Sequence, residues 1–559
     1  MDLFFDSHVH LTLKNQFSKN GNSTSCWRAI TRDDLKDGLP QLLKIFGLGL
    51  LDKTFSSQSS PDQLIPCDYK LVVVPLFAPD VDLVKAISSK KIFIKILKKY
   101  RNTNFGKVLN FERYGFLQQE INPFSIVEND FALLTKTDPN NAGRSVVFLK
   151  NKADFKPDLP NQLAVVFSVE GVHCLRSDLR QTDEGVIFDD IKTNLESLLA
   201  RDLAVIMINV THIDNCNGRF CNQAYAMDGM RVNNFDEKSL RPLGNGMTAL
   251  GKELVELLES HRIVTDIKHM SLQSRKDLYA FRKEKGITSP LVSSHSGLAG
   301  IPFDSPGESF KDYIYDGRKE GDVYRLKVGK VKKYKFSRLF PGVGFNSTSI
   351  NLFDEDIKEI YESTGLLGIS MDERVLGYSK AHKLNPDTYS ANVGFIEDFL
   401  SNKKRVLLDT DFMSESEYKG LGLHNTTKGT KLNHTADADQ LIDLIKGNSS
   451  DIPQYQFYHF LNHVLHCVAL GNQYDGARGV EKMLTQILCV GSDFDGLIDA
   501  MDWCLNCGMT KGIKRKFIEQ FPEILAENNL QLPAGLTIQK VADRLFYENG
   551  RDFVLSRLS

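Results

Sequence analysis

The sequence predicts an α/β fold, a (β/α)8 TIM-type barrel with long loop insertions. Eight short apolar runs recur along the chain, and helical periodicities lie between several of them. Most of the runs also end, on the same side, in histidine or carboxylate. Length alone would divide 559 residues into three or four domains of ~150 residues, but α/β barrels run longer as one unit. The chain is therefore read as a single barrel domain spanning 1–559, with an open doubly wound sheet as the alternative.

The runs are Leu3–Asp6, Leu71–Phe77, Ala164–Val169, Ala204–Val210, Ile263–Ile267, Leu291–Ser294, Leu366–Ser370 and Ile487–Gly491. They are continuous rather than alternating and rich in Val, Ile and Leu. That is the pattern of strands buried on both faces, as in a parallel sheet. Between them, Ile191, Leu195, Leu198 and Leu199 fall at i, i+4, i+7 and i+8, one face of a helix. Leu250, Leu254, Leu257 and Leu258 repeat that spacing, with Thr248 as the expected N-cap. Asp354 opens another helix carrying Ile357, Ile360 and Tyr361. Strand and helix alternate, which argues for βα units.

The connections are uneven. Residues 12–68 and 101–162 are long for βα loops, and 302–349 and 377–450 are insertions expected to shape the pocket. Within the first insertion, Val323–Val328 and Val331–Phe336 flank Gly329 and look like a small hairpin whose lysines form a solvated face.

Net charge is -2, from 69 basic and 71 acidic residues, so no whole-chain field would attract nucleic acid or an anionic membrane. The nine cysteines include Cys504-x-x-Cys507 and the loose pair Cys216 and Cys221, without zinc-ribbon spacing; they read as reduced structural thiols. The N-terminus enters a strand without a basic leader, and no segment reaches ~18 uninterrupted apolar residues. A cytoplasmic protein is the expectation. The expected partner is a small-molecule or dipeptide substrate, with no nucleic acid and no membrane, and a homodimer is left open.

Catalytic groups of barrels gather at the C-terminal ends of the strands. The first run ends in His8-Val9-His10, and on a strand i and i+2 project to one side, so both imidazoles can grip one cation. The third ends in Glu170, the fourth in His212, the fifth in Lys268-His269, the sixth in His295 and the eighth in Asp493-Phe494-Asp495. Acids are almost never buried unpaired, so an ensemble of five histidines and two carboxylates points to one or two divalent ions. Imidazole with carboxylate favours zinc, although other divalent metals fit. Glu170 is the natural bridge between two ions, and Asp493 could take the proton of a water. His463 and His466 are expected on the surface and core of a helix. His173 is expected beside Glu170. Asp495 is the rival of Asp493, while His424 and His434 need no special role.

Several motifs together resemble the membrane (renal) dipeptidase family, zinc peptidases of the amidohydrolase-like superfamily. They are Val169-Glu170-Gly171-Val172-His173, Asn209-Val210-Thr211-His212 with Asn215-Cys216-Asn217, Thr265 through Ser271, Ser293-Ser294-His295-Ser296 and Gly491 through Gly496. Gly246–Gly251, Asn351–Ile357 and the closing region near Asn549–Phe553 add to the likeness. The resemblance implies a binuclear zinc site: His8, His10 and Glu170 for one ion, Glu170, His269 and His295 for the other. It also implies substrate contact by His212 and proton handling by Asp493. Two departures stand out. The first strand carries His-x-His where the family has His-x-Asp. Ile350 stands where the family carries an arginine for the substrate carboxylate, and an apolar side chain cannot make that bidentate pair.

The expectation is a metal-dependent hydrolase, a dipeptidase-like metallopeptidase that cleaves a dipeptide or related small amide. The alternatives are a hydrolase of a lactone, cyclic amide or ester, and a barrel that binds metal or ligand without catalysis.

Overall fold

The computed structural model describes residues 2–36, 54–136, 143–213, 219–232, 234–336, 343–377, 408–423 and 452–558. In chain order its strands are β1 Phe4–Asp6, β2 Tyr69–Leu76, β3 Ser145–Phe148, β4 Gln162–Val169, β5 Val205–Asn209 and β6 Val264–Asp266. They continue with β7 Leu291–Ser296, β8 Ile314–Glu320, β9 Val323–Gly329, β10 Leu366–Ile369, β11 Leu408–Ser414 and β12 Leu488–Val490.

Strands β1, β2, β4, β5, β6, β7, β10 and β12 pair in that order, each parallel to the next. The ring closes between its ends. The Ser7 amide donates to the Val490 carbonyl at 3.0 Å and the Asp493 amide to the His8 carbonyl at 3.0 Å. Val9 bridges Phe494 in parallel. The eight barrel strands are the eight apolar runs, so the barrel stands and the open sheet does not.

Two-sided burial explains why these strands are apolar throughout. Leu71, Val73, Ala164, Val166, Val264, Val292 and Leu366 form one cluster with Tyr547 and Phe553. Val72, Val74, Val165 and Phe167 instead join the larger core that includes helix residues such as Leu195 and Leu254. Period-two alternation thus sends side chains alternately to two apolar layers. The interior is tight: a Cβ on Gly491 would stand 1.8 Å from the Ser294 carbonyl oxygen and 2.6 Å from Ser7 Oγ.

The helices follow their sequence signals. Helix Glu184–Leu199 buries Ile191, Leu195 and Leu198, and helix Ala249–Ser260 buries Leu250, Leu254 and Leu258. Thr248 Oγ1 accepts the Gly251 amide as N-cap. Helix Asp354–Glu362 begins at the expected residue. The last helix, Asn549–Arg557, is tied to β12 by Asn549 Nδ2, which donates to the carbonyls of Leu484 and Leu488.

The expected hairpin is corrected. β9 pairs antiparallel with β8 upstream and with β11 downstream, and Val331 makes only an isolated bridge to Phe345. Alternation identifies a strand but not its partner. Its lysines are not a uniformly solvated face either: Lys330 is buried on Asp409 and the Gly377 carbonyl, and Lys327 donates to Thr410 Oγ1. Of the second insertion only 377 and 408–423 lie within the described residues. No helix among the described residues is long and apolar enough to cross a membrane.

Candidate metal centre

Five barrel strands stop just before the rim, and the residues that follow them deliver the chemistry. His8 and His10 follow β1, Glu170 follows β4, His212 follows β5, and His269 follows β6. His295 lies within the end of β7, and Asp493 follows β12. The five imidazoles meet around the Glu170 carboxylate, with Asp493 beside two of them. Glu170 Oε1 lies 3.4 Å from His8 Nε2, 3.5 Å from His212 Nε2, 3.4 Å from His269 Nε2 and 3.7 Å from His295 Nε2. Glu170 Oε2 lies 3.2 Å from His10 Nε2. Asp493 Oδ1 stands 3.6 Å from His10 Nε2 and 4.0 Å from His8 Nε2.

The turns after the strands aim these groups. Gly171 has φ +84°, and a Cβ there would lie 2.6 Å from His173 Nδ1 and 3.0 Å from His212 Cβ. Glycine lets the chain turn directly behind Glu170. Asp493 and Asp495 both have positive φ, 61° and 63°, so the strand has ended and the two carboxylates diverge. Asp495 accepts from the Gln58 and Ser59 amides, from Ser59 Oγ and from the Lys14 ammonium, which leaves Asp493 as the acid at the rim.

Charge is set by burial and by neighbours. Burial works against the Glu170 carboxylate, but His8, His212 and His10 outweigh it and hold its pKa well below the usual value. Burial would neutralise His10, yet Glu170 and Asp493 raise it to about 10. His269 falls to about 3 through burial and the charges of His212 and Lys268. His295 is lowered well below its ordinary value by burial, His8 and Lys268. Burial raises Asp493, against the pull of His10 and His8.

The donor set fits divalent cations. His8 Nε2 and His10 Nε2 are 3.3 Å apart, and His269 Nε2 and His295 Nε2 are 3.1 Å apart. One proton at most sits between each pair, so inward lone pairs remain around a carboxylate. Three overlapping groups have ligand atoms mutually within 4.8 Å: His8–Glu170–His295, His8–His10–Asp493 and Glu170–His212–His269. Imidazole and carboxylate are the ligand types of zinc and related ions.

No protein-family model matches the chain, and no curated protein does. Solved structures do. The probable dipeptidase PvdM from Pseudomonas aeruginosa is 14% identical, with 100% of this chain and 96% of that chain covered and a TM-score of 0.44. Dipeptidase AC, a metallo peptidase, is 10% identical over 100% and 99% of the two chains, also with a TM-score of 0.44. A metallo peptidase from Rhodobacter sphaeroides, liganded with a phosphinate mimic of the dipeptide L-Ala-D-Ala, is 11% identical with the same coverage and TM-score. The fold of this chain rests on its own strand order and closure.

Two residues at the rim carry no expected role from sequence. Asp80, four residues past β2, accepts from His212 Nδ1 at 2.7 Å and lies 3.5 Å from His173 Nε2. An acid shortly after the second strand is its only signal in the chain. Lys268 is the other, visible as a cation next to His269. His173 is held by the Ala78 carbonyl at 3.0 Å, with its ring beside that of His212. His463 and His466 are both buried, which corrects the expected surface position: His466 bonds Asp354 and Tyr334 at 2.7 Å each, and His463 the His459 carbonyl. Cys221, Cys504 and Cys507 are buried free thiols. His424, His434 and Asn215-Cys216-Asn217 lie outside the described residues.

Proposed function

We propose that the protein is a metal-dependent hydrolase of a small amide, a dipeptide or a close relative, of the membrane dipeptidase kind. The observation that carries this reading is the convergence of five imidazoles on Glu170 with Asp493 at the edge. His8, His10 and Glu170 would hold one zinc or similar ion, and Glu170, His269 and His295 a second. When bound, such ions supply Lewis acidity for the carbonyl and lower the pKa of water.

The chain's own groups do the rest. Asp493, raised by burial and placed at the rim, accepts the proton of the attacking water and returns it to the departing nitrogen. The C–O bond forms, the amide C–N bond breaks, and the proton ends on the amine. His212 faces the site through Nε2 while Asp80 fixes Nδ1, so Nε2 is presented to a substrate oxygen.

Ile350 supports a second reading. It is 7% exposed and apolar, and Arg275 behind it is spent on the carbonyls of Met270, Ser349 and Asn351 and on Asp356. Arg374, near Asp493, is forked onto Asp372. With isoleucine at position 350 and both arginines committed to other partners, substrates without a carboxylate, such as cyclic amides or lactones, are the second reading. Purified zinc-loaded protein assayed against dipeptides, their C-terminal amides, cyclic amides and lactones separates the readings. Turnover of none of these, with metal bound, would leave a non-catalytic barrel.

A further inference from the structure

Strand β7 delivers His295, and the residue before it touches two of the converging histidines at once. Ser294 Oγ lies 2.9 Å from His295 Nδ1 and 3.2 Å from His8 Nδ1. The opposite nitrogens, Nε2 of both rings, face Glu170 Oε1 at 3.4 Å for His8 and 3.7 Å for His295. The two rings also lie against each other, with centroids 3.9 Å apart. Ser7, His8 and Ser294 are fully buried.

Strands β1 and β7 are not neighbours in the barrel, since β10 and β12 stand between them. Their contact uses space that two glycines leave open, Gly368 in β10 and Gly491 just after β12. A Cβ on either would run into the Ser294 carbonyl oxygen and Ser7 Oγ. Through that gap Ser7 Oγ donates to the Ser294 carbonyl at 2.6 Å, one residue before His8. From the β6 side, Asp266 Oδ1 accepts the Ser294 amide at 3.3 Å and holds the serine in place.

An imidazole that gives its Nε2 lone pair to an ion carries its hydrogen on Nδ1 and is oriented by the acceptor found there. A hydroxyl oxygen has two lone pairs, so Ser294 Oγ can accept from both rings. We propose that Ser294 is a positioning residue for both ions: its one oxygen aims His8 at the first and His295 at the second, so its loss weakens both positions together. This rests on the metal reading above and adds how the two halves of the centre are linked. Ser293 provides the comparison within the same strand. It is equally buried, but its hydroxyl bonds Ser296 Oγ and no histidine of the centre.

The test uses the full-length chain, stripped of metal and titrated with Zn2+ in competition with a chromophoric chelator, so that affinity is read without any substrate. Ser294→Ala should weaken each of the two ions by about 10–100-fold. Ser293→Ala should leave both affinities at the wild-type value. If Ser294→Ala fails to fold, Ser294→Cys, which keeps the side chain's shape but is a weak acceptor, carries the same comparison. Unchanged affinities in the Ser294 variant, weakening of one ion alone, or an equal loss in Ser293→Ala would overturn the inference. A single ion per wild-type chain would overturn it as well, since there would be no second position to link. No ion bound to wild type would overturn the metal reading itself.

Discussion

Asp80 Oδ2 lies 2.7 Å from His212 Nδ1, and the far nitrogen of the same ring lies 3.5 Å from Glu170 Oε1. Burial works against a charged imidazole at His212, but Asp80 and then Glu170 raise its pKa. Asp80 thus fixes which nitrogen of His212 faces Glu170. Asp80→Ala should lower kcat/KM by about 10–100-fold while metal content stays unchanged. Steady-state kinetics beside metal analysis would check this, and an unchanged kcat/KM would separate Asp80 from the site.

His269→Ala removes a donor 3.4 Å from Glu170 and 3.1 Å from His295. Activity should fall below detection, with circular dichroism and melting little changed. Full turnover in this variant would place the chemistry elsewhere.

Asp493→Asn keeps the shape of the rim but cannot carry a proton. Hydrolysis should slow by about 10²–10⁴-fold, the usual worth of a positioned acid–base. Retained metal with lost rate is the expected combination. Loss of metal with the rate would instead make Asp493 a ligand first.

Glu417 gives a pH prediction. It is buried, accepts from the Gly246 amide at 3.3 Å and from Ser271 Oγ, and burial raises its pKa from 4.5 to about 7. The folded state therefore holds its proton more tightly than the unfolded state does. The stability linked to that proton is complete below about pH 4.5 and is lost as pH rises to about 7. The shift amounts to about 3 kcal/mol. Glu417→Gln should therefore lose less stability than wild type between pH 4.5 and 7, read from melting temperatures across that range. Parallel curves for the two proteins would refute the assignment.

Much of the fold was legible because burial on two faces leaves a plain trace. Leu71 to Leu76 and Ala164 to Val169 are apolar at every interior and exterior position but Pro75 and Ser168, and both proved to be barrel strands. Thr248 showed its cap because the side chain acts on a backbone three residues away. The pairing of β9 with β8 and β11 was not legible, since alternation carries no information about the partner. Nor was the burial of His463 and His466, whose bonding groups come from Asp354, Tyr334 and their own helix.

The sequence by itself determined the eight strands, their parallel order and the residue types waiting at their ends, because these are local consequences of period, apolarity and chain direction. Only the tertiary structure decided that Glu170 stands at the centre of the histidines, that Asp495 is consumed by Ser59 and Lys14, and that Asp80 backs His212. The reason is closure. Until β12 meets β1, side chains hundreds of residues apart have no defined separation, and the charge that each feels depends on that separation.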